Sequence, residues 1–145
     1  MRIKGSLFCT FLLLCSVAMS FASCSKDEEY EDYLDGTIWM VKFLKDTNYS
    51  YGGKPLGGEI LYFHDGKGEY YYIDQDYKVI AIYEMFDSYR IINETHAEVV
   101  VNSAFGTNMD GSRRKVDIQY SPQVLYYNGR DVFERAVRSK SFYFD

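Results

Sequence analysis

Short runs of alternating apolar and polar residues, separated by turns rich in glycine and asparagine, recur from residue 36 to the end of the chain. The clearest run is 113–121, where Val116, Ile118 and Tyr120 alternate with polar or charged residues. Strand side chains alternate between the two faces of a sheet, so this run is typical of a strand with one dry and one solvated face. No segment keeps the 3.6-residue period of a helix. We therefore predict an all-β fold.

Turn residues predict how the strands are joined. Asp65-Gly66-Lys67-Gly68 lies between strand-like runs at 59–64 and 69–73, and two glycines supply the positive φ that a tight hairpin needs. Asn128-Gly129 is a second hairpin signal, followed by the segment 131–138. That segment has two interpretations, a strand or a short helix.

Three further segments complete the prediction. Residues 46–58 are rich in Gly, Asn and Ser and predict a long loop, Asp87-Ser88 predicts a turn, and Phe142 with Phe144 predicts an edge strand. This gives eight or nine strands with no helix long enough for a crossover, so the sheet should be a single antiparallel meander. Such a meander closes readily into an up-and-down barrel, which removes exposed edges. A β-sandwich is the alternative.

The order of these features resembles a known group of domains. Gly36 is followed by Trp39 on the first strand, Leu61-x-Phe63-x-Asp65-Gly66-x-Gly68 forms a hairpin, and a meander ends the chain. Together these features are similar to the lipocalin-like domains of small bacterial lipoproteins, over most of residues 36–137. The resemblance implies a β-barrel that acts as a binding module, and it assigns no ligand-binding residue.

The N-terminus looks like a targeting segment. Met1-Arg2-Ile3-Lys4 is basic, and Leu7–Ala22 is an apolar run of 16 residues. A membrane-spanning helix needs about 20 apolar residues, so the run better suits a secretory signal that ends in small residues. A buried core helix or a retained anchor is the alternative.

The residues that follow resemble the processing site of bacterial lipoproteins. Ala22-Ser23-Cys24 is similar to a lipobox, which implies cleavage before Cys24 and attachment of a diacylglycerol and an N-acyl chain such as palmitate. Residues 25–29 are similar to the acidic export signal of Bacteroidetes outer-membrane lipoproteins, and a solvated linker is the alternative. The expected location is the outer membrane, on its periplasmic or its external face.

Cysteine usage agrees with this interpretation. Cys9 and Cys15 fall in the signal, so Cys24 would be the only cysteine of the mature protein, with no partner for an intrachain disulfide. Two or three acyl chains anchor a protein stably, whereas one chain binds only marginally. We therefore divide the chain into a signal peptide (1–23), an acidic tether (24–35) and a lipocalin-like β domain (36–145).

The charge balance excludes some partners. Removing Arg2 and Lys4 from 16 basic residues leaves 14 against 21 acidic ones, a net charge of −7. Neutralising phosphates requires a surplus of Lys and Arg, so we do not expect nucleic acid as a partner. The expected membrane contact is the lipid anchor at Cys24.

Three polar clusters are candidate sites. His64 beside Asp65, together with His96, falls short of the three or four ligands of a zinc site. Asp74-Gln75-Asp76 lacks the glycine and distal glutamate of a calcium loop. Arg113-Arg114-Lys115 is a basic cluster that we expect to pair with nearby carboxylates. We predict no metal and no cofactor.

The tyrosines are the strongest indication of a binding surface in the sequence. Tyr70-Tyr71-Tyr72 and Tyr126-Tyr127 put rings on both faces of their strands, and Tyr49 and Tyr51 fall in the predicted loop. Tyrosine buries a large apolar area while its hydroxyl tolerates water, which suits ligand contact. Ordinary strand composition is the alternative explanation.

Three functions follow from these observations. The first is a lipid-anchored, non-enzymatic module that binds a small apolar or carbohydrate ligand. The second is a structural component that contacts another protein of the cell envelope. An enzyme is the third, and the sequence disfavours it because it contains neither a mature cysteine nucleophile nor a Gly-x-Ser-x-Gly elbow.

Overall fold

The computed structural model of the protein describes residues 30–44, 48–103 and 111–145. These residues form nine strands and one short helix. The strands are β1 (Ile38–Lys42), β2 (Ser50–Tyr51), β3 (Lys54–His64), β4 (Lys67–Asp74), β5 (Val79–Asn93), β6 (His96–Asn102), β7 (Arg113–Tyr120), β8 (Val124–Tyr127) and β9 (Asp131–Arg135), and the helix is α1 (Lys140–Phe144).

The strands close into an antiparallel barrel. From β3 to β9 each strand pairs with the next, and β1 lies between β9 and β3, where Trp39 pairs with Arg135 on one side and Leu61 on the other. Eight strands form the barrel, and β2 is an extra strand hydrogen-bonded to β3. The predicted all-β meander and lipocalin-like barrel are confirmed, and the β-sandwich alternative is wrong.

Because the strands run up and down, their connections alternate between two ends of the barrel. We call one end the closed end, because residues 30–37 cover it; it also carries the connections at 65–66, 94–95 and 121–123. We call the other end the open end; its described connections are 48–53, 75–78 and 128–130.

The predicted hairpins are present. Asp65 and Gly66 have φ of 51° and 73° and form a two-residue turn between β3 and β4. Asn128 and Gly129 have φ of 55° and 68° between β8 and β9. Two successive positive φ values match the right-handed twist of the strands, which explains why these residue pairs occupy the turns.

The closed end is tied to the barrel by the segment before β1. Leu34 is fully buried in the core, and its carbonyl accepts a hydrogen bond of 2.6 Å from the Thr37 hydroxyl. The indole Nε1 of Trp39 in turn donates to Thr37 Oγ1 at 2.8 Å. Residues 30–35, assigned to the tether from their sequence, therefore include a core residue, and the packed body begins before Gly36.

Large side chains fill the barrel interior. The Phe63 and Phe86 rings lie 5.7 Å apart, and the Tyr70 and Phe133 rings meet edge to face at 5.9 Å. Trp39 is only 1% exposed. The buried members of this interior cluster are Leu34, Trp39, Leu61, Phe63, Tyr70, Phe86, Ala97, Val99, Val101, Val116, Ile118, Tyr120, Leu125, Tyr127 and Phe133.

A second apolar cluster lies outside the barrel, under the C-terminal helix. Tyr143 of α1 packs with Ile38, Ile60 and Ile73, which face outward from β1, β3 and β4. The edge strand predicted from Phe142 and Phe144 is therefore wrong. The outer face of the wall is apolar here, and a single helical turn covers it with aromatic rings.

Two other local predictions differ from the structure, and the structure decides between the two interpretations of residues 131–138. Asp87-Ser88 is a bulge inside β5 rather than a turn, with the register shifting between Phe86 and Ser88. The long loop predicted at 46–58 is only partly present, because Ser50–Tyr51 form β2 and β3 begins at Lys54. Residues 131–135 form β9, so the helical interpretation of 131–138 is wrong.

Candidate functional site

The predicted lipidation residue lies outside the described part of the chain. Cys24 and the signal peptide precede residue 30, so the anchor at Cys24 stays a prediction. Within residues 30–44, 48–103 and 111–145, no helix has the length and apolar character needed to cross a bilayer.

The histidines have local partners. His64 Nε2 lies 2.8 Å from a carboxylate oxygen of Glu69, and its ring stacks on Tyr62 at 4.6 Å. His96 Nδ1 lies 3.0 Å from the Thr95 hydroxyl and 3.3 Å from Asn93 Oδ1. No group of three or more His, Cys, Asp or Glu residues in the described segments could hold a metal ion.

The other polar clusters form hydrogen bonds and ion pairs within the barrel wall. Asp74 Oδ1 accepts hydrogen bonds from the backbone N–H groups of Asp76 and Lys78, both at 2.9 Å, which shapes the β4–β5 turn. The basic cluster on β7 pairs with carboxylates, as expected. The pairs are Arg113 with Asp87 at 3.0 Å, Arg114 with Glu84 at 2.6 Å and Lys115 with Glu98 at 3.5 Å.

The tyrosine runs place rings on both sides of the wall. Tyr70 and Tyr127 are buried in the interior, while Tyr71 packs outside against Phe144 at 4.9 Å. Tyr126 is 44% exposed. Alternation along a strand accounts for this division.

Five aromatic rings lie at the open end in two contacting groups, Phe43 with Tyr49, and Tyr51 with Tyr72 and Tyr83; together we call them the open-end cluster. The ring centres are 5.2 Å apart for Phe43–Tyr49, 6.0 Å for Tyr51–Tyr72 and 5.2 Å for Tyr72–Tyr83. Tyr49 and Tyr51 are 59% and 41% exposed. The cluster therefore presents aromatic faces to solvent at the end of the barrel.

The strands explain why these rings meet. Phe43 is the first residue after β1, and by alternation it lies on the same inward side as Trp39 and Val41. Tyr49 and Tyr51 are two residues apart in extended chain, so both point to the same side. β2 holds them over the barrel because Tyr51 pairs with Lys54 of β3.

A buried ion pair lies beneath this cluster. Glu84 has no exposed surface, and its Oε1 accepts a hydrogen bond of 2.6 Å from Arg114 Nη2. The Tyr127 hydroxyl donates to the other carboxylate oxygen at 3.3 Å, and Arg114 Nη1 donates to the Ser103 hydroxyl at 3.0 Å. The Arg114 side chain is 41% exposed, so this charge pair runs from the interior to the surface.

A second carboxylate lies close to the tyrosines of the interior. The Tyr70 hydroxyl donates a hydrogen bond to Glu59. Burial raises the pKa of Glu59, and the hydrogen bond from Tyr70 partly opposes that shift. Burial and the Glu59 carboxylate together raise the pKa of Tyr70 far above its ordinary value, so this phenol stays a donor.

Tyr70 connects the polar groups to the aromatic rings. Its ring lies 5.0 Å from Tyr83 and 5.5 Å from Tyr127. Below the exposed aromatic rings, the interior therefore holds buried or half-buried carboxylates and hydroxyls that are hydrogen-bonded to one another, together with the partly exposed guanidinium of Arg114. The tyrosines could be identified from the sequence, whereas Glu59 and Glu84 could not. Glu59 is 11 residues from its partner Tyr70 and Glu84 is 30 residues from its partner Arg114, so both contacts depend on strand register.

Concave surfaces among the described residues lie at the ends or outside of the barrel. One of about 390 Å³ lies between β1, β9 and α1, and includes Met40 and Phe142. Another of about 580 Å³ lies beside Leu56 and Tyr77 near the open end. A third, of about 560 Å³, lies at the closed end beside Trp39. Comparisons with protein-family models, curated proteins and solved structures give no match for this chain.

Proposed function

We propose that this chain is a lipid-anchored, non-enzymatic module that binds a carbohydrate at the open end of its barrel. The observation that carries the proposal is the open-end cluster of exposed tyrosine rings above buried hydrogen-bonding groups. Sugar rings offer C–H faces that pack on aromatic rings and hydroxyls that need donors and acceptors.

The packing of the interior favours a surface ligand over an enclosed apolar one. Trp39, Phe63, Phe86 and Phe133 fill the barrel where a lipocalin-like fold would hold a small molecule. An eight-stranded barrel is just wide enough for either arrangement. A ligand is therefore expected to lie on the rim, where Tyr49 and Tyr51 are exposed.

Each part of the open end has a defined task in this proposal. Tyr51 and Tyr49 supply the stacking faces, since they are the most exposed rings of the cluster. Arg114, partly exposed, supplies a donor to a sugar oxygen. Its pairing with Glu84 fixes the direction of the guanidinium, so little freedom is lost on binding.

The anchor belongs to the same proposal. Acyl chains at Cys24 would hold the barrel at the outer membrane, and residues 25–29 would let it reach carbohydrate a short distance from the lipid surface. Five extended residues span at most about 18 Å, so the anchored module samples only molecules near the membrane.

The test is a glycan array probed with the full chain in detergent, followed by calorimetric titration of the best ligand. Tyr51→Ala should weaken binding about 3- to 10-fold, the equivalent of one aromatic contact. Tyr126→Ala is the matched control, because Tyr126 is similarly exposed but lies on β8 outside the cluster. An equal loss in both variants would contradict the proposal.

A protein partner is the second candidate, because exposed aromatic rings are also enriched at the centres of protein interfaces. Capture of one envelope protein from detergent-solubilised membranes, lost in Tyr51→Ala and retained in Tyr126→Ala, would favour it if no glycan binds.

A further inference from the structure

The closed end holds a concave site that the open-end function does not use. It has a volume of about 560 Å³ and lies between residues 30–37 and the β5–β6 and β7–β8 turns. Trp39, Tyr120 and Arg135 line it from the barrel, and Tyr33 and Pro122 line it from the surface. A volume of this size suits a small organic molecule.

Arg135 gives this site its charge. It is the register partner of Trp39, so the two side chains lie on the same side of the wall; Arg135 is exposed at the end of β9, and its guanidinium carbon is 5.4 Å from the indole ring centre. None of the six ion pairs among the described residues involves Arg135. A guanidinium that lies against an indole face keeps its in-plane N–H donors available to a carboxylate.

Tyr120 supplies a second polar group. Its side chain is 7% exposed, and its hydroxyl has no hydrogen-bond partner within the described residues. Burial and the nearby Asp32 raise the pKa of Tyr120, so the hydroxyl keeps its proton. Asp32 itself already accepts a hydrogen bond of 2.7 Å from the Tyr89 hydroxyl. An unsatisfied buried hydroxyl is costly, and an oxygen of a bound molecule would supply its acceptor.

The rest of the lining defines the body of the ligand. The Tyr33 ring, 53% exposed, and Pro122 offer apolar faces. Glu94 and Thr95 on the β5–β6 turn offer a carboxylate and a hydroxyl that can bond to ligand hydroxyls. The site therefore combines one cation, one donor without a partner, apolar faces and hydroxyl-binding groups.

We propose that the closed end binds a small hydroxylated carboxylate, with its carboxylate on Arg135 and a ligand oxygen on the Tyr120 hydroxyl. This site lies at the opposite end of the barrel from Tyr51 and is independent of the carbohydrate-binding proposal. No covalent step is involved.

The test titrates the full chain in detergent with glucuronate, and with glucose as the uncharged counterpart. Trp39 is the only tryptophan and lines the site, so its fluorescence reports binding directly. Glucuronate should change the emission and bind at least about tenfold more tightly than glucose, since only glucuronate offers a carboxylate to the guanidinium.

Variants then assign the contacts. Arg135→Gln should weaken glucuronate binding at least about tenfold, the loss expected on removing a charge-assisted pair. Arg138→Gln is the matched control, because Arg138 also lies over a ring, 4.4 Å from the centre of Phe142, but outside the barrel. Tyr120→Phe should weaken binding several-fold while leaving the protein at least as stable, since it removes a hydroxyl without a partner.

Three results would overturn the proposal. The first is equal affinity for glucuronate and glucose, or no binding of either at 50 mM. The second is an Arg138→Gln loss as large as that of Arg135→Gln. The third is unchanged binding in both Arg135→Gln and Tyr120→Phe. Tyr51→Ala should leave glucuronate binding unchanged, which separates this site from the open end.

Discussion

The buried ion pair at the open end leads to a quantitative prediction. Arg114→Met removes the guanidinium that lies 2.6 Å from Glu84, a carboxylate with no exposed surface. Removing one partner of a fully buried pair costs about 3–5 kcal/mol, because the remaining charge loses its compensation. The Arg114 side chain is 41% exposed, so solvent screens part of the interaction and we expect about 2–3 kcal/mol.

The neighbouring arginine provides a matched control. Arg113 pairs with Asp87 at 3.0 Å, but the two side chains are 69% and 37% exposed. Exposed pairs contribute little, so Arg113→Met should cost less than about 1 kcal/mol. Both variants remove one positive charge from the same strand, which leaves burial as the difference between them.

Urea unfolding followed by Trp39 fluorescence measures both losses, because Trp39 is the only tryptophan and is buried. The Arg114→Met loss corresponds to a fall in Tm of about 10 °C. Adding Glu84→Gln to Arg114→Met should recover a large part of the stability, since the buried charge is then removed as well. Equal losses in Arg113→Met and Arg114→Met would refute this reasoning, as would a double variant less stable than Arg114→Met.

Three further predictions concern other parts of the chain. Because the pKa of Glu59 is raised in the folded protein, its ionisation destabilises the fold as pH rises above about 4. Glu59→Gln should therefore gain stability relative to the parent between pH 4 and neutral pH, measured by urea unfolding at both; a gap independent of pH would contradict this. Leu34→Ala should cost about 2–5 kcal/mol in the same assay because Leu34 is fully buried, whereas Val137→Ala, 96% exposed, should cost almost nothing. Cys24→Ala should abolish incorporation of labelled palmitate and release the protein from membranes, and unchanged partitioning would rule out the lipid anchor.

Local chemistry in the sequence was sufficient to predict much of the fold. Asp65-Gly66 and Asn128-Gly129 tolerate the positive φ of tight hairpin turns, so their positions fixed two hairpins. Val116, Ile118 and Tyr120 alternate cleanly, and the structure buries all three on one face of β7. In each case a short window of sequence contains the physical cause.

The sequence-based predictions are wrong at positions where contacts with distant parts of the chain determine the local structure. Asp87-Ser88 has the composition of a turn, but the Asp87 side chain pairs with Arg113 on the wall and the chain continues through a bulge. Phe142 and Phe144 alternate over too few residues to separate a strand from a helical turn. Leu34 is one apolar residue in an acidic stretch, and nothing local indicates that it covers the closed end.

The contacts within the candidate sites could be predicted from the sequence even less well than these elements. Arg114 lies in a basic run on β7, and its link to Glu84 exists only because β5, β6 and β7 are adjacent in the barrel. Likewise, Arg135 reaches Trp39 only because β9 and β1 close the barrel. Contacts between distant strands follow from register, which residue composition does not specify.

Selective labelling of the tyrosine rings would place the carbohydrate on the barrel. Titrating the labelled full chain with the best glycan from the array should shift the NMR signals of Tyr49, Tyr51, Tyr72 and Tyr83. The signal of Tyr126, exposed elsewhere on the wall, should stay unchanged. Shifts that spare those four rings, or an array on which no glycan binds, would contradict carbohydrate binding at the open end.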